Sequence, residues 1–119
     1  MFNQITEEMI SNLDAVNRER FESIRCTLEQ DGLVPPIVLR RFSDLAFSLA
    51  KKSMKTGESF PIANPLLEIF NEFSASSRLS LDTKAKMRQL ISETKLDLSY
   101  ASGNHDFSSL RLHPYFANN

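Results

Sequence analysis

Residues 35–57 read PPIVLRRFSDLAFSLAKKSMKTG, and this stretch decides the fold class. Val38, Phe42, Leu45, Ala46, Leu49 and Ala50 recur at spacings of mostly three or four, which lines them along one face of an α-helix. Pro35 and Pro36 have no amide protons to leave unbonded, so they suit a helix start. Gly57 supplies the stop, and Lys51, Lys52 and Lys55 complement the negative end of the helix dipole. The stretch therefore predicts a helix over 35–56. Ile37 and Phe47 widen its apolar arc beyond one stripe, which makes it the central helix.

The flanking segments carry the same period. Ile5, Met9, Leu13, Val16, Phe21, Ile24 and Leu28 form one stripe, predicting a single long helix over 6–30, capped by Thr6 and stopped at Asp31-Gly32. Glu7 and Glu8 suit the positive end of its dipole. Asn64-Pro65 predicts a helix start, after which Leu66, Leu67, Ile69, Phe70 and Phe73 crowd a short amphipathic helix over 65–74. The serine-rich residues 74–77 read as a loop. Ser80 or Asp82 can cap a last helix that carries Ala85, Met87, Leu90 and Ile91 and reaches Leu96. The expected fold is all-α: one domain over 1–119, an irregular four-helix bundle with an apolar C-terminal arm over 99–119. Its shared core is expected to contain Phe42, Leu45, Leu49, Leu67, Phe70, Leu90 and Ile91.

Composition narrows the function classes. A chain of 119 residues can fold alone without metal or disulfide staples, and three glycines are too few for a fold of short strands and tight turns. The single cysteine, Cys26, has no intramolecular partner, no Asn-x-Ser/Thr sequon is present, and the acidic N-terminus lacks the basic start of a signal peptide. An intracellular, cytoplasmic protein is expected. The longest run without a polar side chain, Leu33–Leu39, falls far short of the roughly 20 residues needed to cross a bilayer.

Catalytic chemistry finds no foothold. No glycine-rich phosphate loop exists, and Glu7-Glu8 lie at a solvated helix start. His105, with Asp106 beside it, and His113 offer no ligand pair at metal-binding spacing, and Cys26 inside a helix reads as packing. The expectation is a protein with no catalytic residues, no metal and no cofactor.

Charge alternates in sign along the chain. Residues 1–34 hold seven acids and three bases (−4), and residues 35–57 hold five bases and one acid (+4). Residues 58–76 hold three acids and no base (−3), and residues 77–95 hold five bases and two acids (+3). Neighbouring helices of opposite sign would then neutralise one another across the bundle surface. The rival reading is a shared basic face, with Arg40, Arg41, Lys51, Lys52, Lys84, Lys86 and Arg88 contacting phosphates, joined by Lys55, Arg78 and Lys95. The glycine turn Asp31-Gly32 between two helices also gives the outline of a helix-turn-helix, although Pro35 and Pro36 occupy the turn exit and both helices are long.

The stretch Asn64–Met87, NPLLEIFNEFSASSRLSLDTKAKM, resembles the C-terminal part of phage small terminase subunits. There an Asn-Pro-initiated helix precedes a second helix that carries a basic residue after a Leu-x-Pro turn. Here Leu81-Asp82-Thr83 has no proline, and the two helices lie closer together in sequence. The resemblance covers about a fifth of the chain and implies nucleic-acid binding.

Apolar residues also fall outside the regular helices. Phe60 and Ile62 lie in the loop GESFPIAN, and Phe107, Leu110, Leu112, Tyr115 and Phe116 lie in the C-terminal arm. They can seal the ends of the bundle or form an exposed apolar patch of the kind that marks a protein interface. Tyrosine and phenylalanine suit the second role, because they bury large area at little rotamer cost. From sequence the leading expectation is a small non-enzymatic module that binds another protein, as adaptor, inhibitor or assembly subunit, with homodimerisation open to it. Nucleic-acid binding is the alternative.

Overall fold

The computed structural model of the chain describes residues 2–31, 34–76 and 78–101. Among these residues all regular structure is helical, in five segments that pack on one another: α1 (Glu7–Ser11), α2 (Ala15–Asp31), α3 (Pro36–Thr56), α4 (Ala63–Ser74) and α5 (Leu81–Ala101). No helix is long and apolar enough to cross a membrane among the described residues.

The helix expected over 6–30 is two helices. Thr6 caps α1 as expected, its Oγ1 accepting from the Met9 amide at 3.3 Å. The chain then turns at Asn12–Asp14, with the Leu13 amide donating to the Ile10 carbonyl at 3.0 Å, and Asp14 caps α2 by accepting the Asn17 amide on Oδ1 at 2.9 Å. An Asp three residues ahead of a free amide offers the backbone a better partner than continued helix at that point. Leu13 stays buried through the turn, but Val16, expected on the apolar stripe, is 58% exposed. Cys26, expected as packing, is exposed on α2.

Asp14 also pairs with Lys52 of α3, and beside it Asn17 Nδ2 donates to the Ser48 hydroxyl at 2.9 Å. These contacts fix α2 against α3. Asp14→Ala removes the cap and the pair together and is expected to lower stability by about 1–2 kcal/mol, read from a denaturation midpoint. Lys52→Ala removes only the ion pair, both members of which are well exposed, and is expected to cost less than about 1 kcal/mol.

Helix α3 is central, as its arc predicts. It packs on α2 along one side and on α5 along another, and its Phe42 ring meets Phe70 of α4 with centroids 4.2 Å apart. Gly57 ends it in the left-handed region at φ 73°, donating its amide to the Ser53 carbonyl at 2.9 Å. All seven residues of the expected shared core are buried, and Leu45 is 0% exposed.

The other boundaries shift. Helix α4 begins at Ala63, ahead of the expected Pro65, because the Ile62 carbonyl already accepts a helical bond from Leu66. Pro65 then falls among the first amides, which have no intrahelical partner to lose. Ser80 caps α5 by accepting the Thr83 amide at 3.1 Å, and the helix passes the expected end at Leu96 to reach Ala101. Asp97, 1% exposed, continues the buried face of α5, and no helix breaker precedes Gly103. Residues 99–101 of the expected arm thus belong to α5, and 102–119 lie outside the described residues.

Candidate binding surface

The expected neutralisation holds where α2 meets α3 and where α4 meets α5, and fails where α3 meets α5. Contacts run α2 to α3, α3 to α5 and α5 to α4, so the two segments rich in bases lie side by side and the acidic ones flank them. Helix α4, which lies between α3 and α5 in sequence, packs mainly on α5 and also touches α3 where Phe70 meets Phe42. Lys52 with Asp14 is a complementary pair across α2 and α3, but the α3–α5 contact sets basic segment against basic segment.

The cations expected to contact phosphates divide by their surroundings. Arg40 and Arg88 are exposed and Arg41 and Lys84 half-buried, and none of the four has an ion pair among the described residues. The same holds for Arg78 and Lys95, both exposed. Lys52 is engaged with Asp14, and Lys86 with Asp82 one turn earlier in α5 at 3.1 Å. Lys51 places its ammonium 5.3 Å from the Phe47 ring centroid in a cation–π contact.

The apolar candidates fare differently. Ile62 is 1% exposed and belongs to the core, and Phe60 is half-buried against it, so these two residues do not form an exposed patch. Their burial follows from the early start of α4, which draws the end of the GESFPIAN loop inward. Phe107, Leu110, Leu112, Tyr115 and Phe116 lie outside the described residues. Among the described residues, the large apolar side chains that face solvent are Val16, Ile37, Leu81 at 84% and Leu96 at 50%. Helical phase identifies Leu81, which falls about 120° from Met87 and on the side of α5 away from Leu90.

Between α3, α4 and α5 lies a cavity of about 10 Å³ lined by Phe42, Leu45, Leu49, Leu66, Thr94 and Leu98 among others. It has room for one water at most. The Thr94 hydroxyl there, and that of Ser43 on α3, are buried without a hydrogen-bond partner. Among the described residues no three of His, Cys, Asp and Glu gather as a metal site would require. His105 and His113 lie outside those residues.

No protein-family model matches the chain, and no curated protein and no solved structure matches it either.

Proposed function

We propose that this chain is a non-enzymatic binding module that holds nucleic acid on the basic surface of α3 and α5. The observation that carries the reading is the direct packing of α3, with five bases and one acid over 36–56 (+4), on α5, with four bases and three acids over 81–101 (+1), so that like charge meets rather than cancels. Six cations on or next to them have no ion pair among the described residues, so their charge is free to meet phosphates.

A second reading, binding of another protein or of a second copy, draws on Leu81 and Leu96, two large apolar side chains exposed on α5. Copurification separates the two. The chain recovered from its host at low salt is expected to carry nucleic acid that nuclease treatment removes together with any associated protein. A protein partner retained after nuclease would favour the second reading.

A further inference from the structure

We infer that Lys84, Arg88 and Lys95 form a phosphate ladder on α5 that holds the backbone of a nucleic-acid duplex without reading its bases. The inference rests on the nucleic-acid reading above and says which helix, which contacts and which form of nucleic acid are involved.

The ladder follows from helix geometry. Lys84 and Arg88 are four residues apart and Arg88 and Lys95 seven, so all three return to one stripe of α5. At 1.5 Å per residue the steps are about 6 and 10 Å, and the ladder is about 16 Å long. Because α5 is unbroken from Leu81 to Ala101, the backbone fixes these spacings. A straight row on an unbroken helix suits the fixed backbone path of a duplex, and the flexible lysine and arginine side chains adapt the unequal steps to its phosphates.

The acids of α5 do little to oppose it. Asp82, which is paired with Lys86, Glu93 and Asp97 all lie about 140–160° around the helix from the stripe, on its opposite side. On the neighbouring α4, Glu68 and Glu72 are exposed and no base is present, so a polyanion is repelled from that side. On the other neighbour, α3, Arg40 and Arg41 have no ion pair among the described residues, with Arg41 on the stripe of Ser48 and Lys52 that meets α2.

The same stripe explains the absence of base reading. Beside the cations stand exposed Leu81, Ala85 and Ser92, none with a bidentate group for a base edge, and the Gln89 amide is turned toward Glu93. Lysine and arginine contacts to phosphate position a duplex but carry no sequence information.

The test is fluorescence anisotropy with short labelled duplexes of unrelated sequence and a single strand of equal length. It is run over a salt series on the full chain and on Lys84→Gln/Arg88→Gln/Lys95→Gln, with circular dichroism to confirm folding. Losing three phosphate contacts should make the slope of log affinity against log salt shallower by about 2.7. That slope difference corresponds to about 40-fold between 50 and 200 mM salt. The exposed single variant Arg88→Gln should make the slope shallower by about 1, and Lys86→Gln, whose charge is already paired, by less. Duplexes of different sequence should bind within a few-fold of one another.

If the native chain binds neither duplex nor single strand, the nucleic-acid reading fails and the ladder with it. If the native chain binds but the triple variant, or Arg88→Gln should the triple variant unfold, keeps the native slope, the ladder alone is overturned. Tighter binding to the single strand, or strong preference among duplex sequences, overturns the assignment to a duplex backbone.

Discussion

Phe70→Ala is expected to lower the unfolding free energy by about 3–5 kcal/mol, the usual cost of emptying a phenylalanine site in a core. Phe70 is 1% exposed, and its ring meets Phe42 of the central helix at 4.2 Å, so it is a main tie between α4 and α3. The small cavity among α3, α4 and α5, lined in part by Phe42, shows that this region is already imperfectly filled. Removing the ring adds to that void where Leu66 and Leu67 are held by the same helix, so collapse onto it would disturb other core contacts. Domains of this size hold about 5–15 kcal/mol in total, so the variant should be marginal at best. Chemical denaturation followed by circular dichroism checks it. A midpoint like that of the native chain would mean that α4 is not seated on α3 as described.

The second large effect is on binding. Arg40→Glu/Arg41→Glu is expected to weaken duplex binding by about 100-fold or more. Each charge-assisted contact is worth about 1.5 kcal/mol at the low end, and every 1.4 kcal/mol is tenfold. Both arginines lie on the polar arc of α3, neither has an ion pair among the described residues, and neither contributes to the core. Stability should therefore stay close to native. Lys52→Glu makes the informative comparison, because Lys52 is already engaged with Asp14 and its loss should weaken binding less. The double variant removes twice the charge, so a Lys52→Glu loss equal to it per unit of charge would indicate a general effect of net charge rather than a defined surface.

Helix type and core were legible in the sequence because periodicity is a local property. The spacing of Phe42, Leu45 and Leu49 is that of a buried helical face in any all-α context, and those residues are buried. The break at Asn12–Asp14 was hidden by the same signal, since Leu13 remains apolar and buried across the turn and keeps the stripe intact. Its trace was the capping residue Asp14 in mid-stripe. At the other end, the serine at 99 suggested a loop, while the buried Asp97 and the distance to Gly103 favoured continued helix.

The surface was less legible, because neighbours in sequence need not be neighbours in space. Alternating charge along the chain suggested neutralisation, and only the packing of α3 on α5 reveals two basic segments in contact. The burial of Ile62 depends on where α4 begins, and that boundary rests on a backbone bond, Leu66 to Ile62, without a side-chain cap to announce it. Exposed Leu81 could have been recognised from the phase of Met87 and Leu90 alone.

The measurement closest to the central claim is the affinity of the native chain for a duplex as salt is raised from about 50 to 200 mM. The basic surface of α3 and α5 predicts micromolar or tighter binding at the low end and a loss of at least about 40-fold at the high end, as three or more phosphate contacts release their counterions. No binding at the low end, or an affinity that does not change with salt, would contradict it.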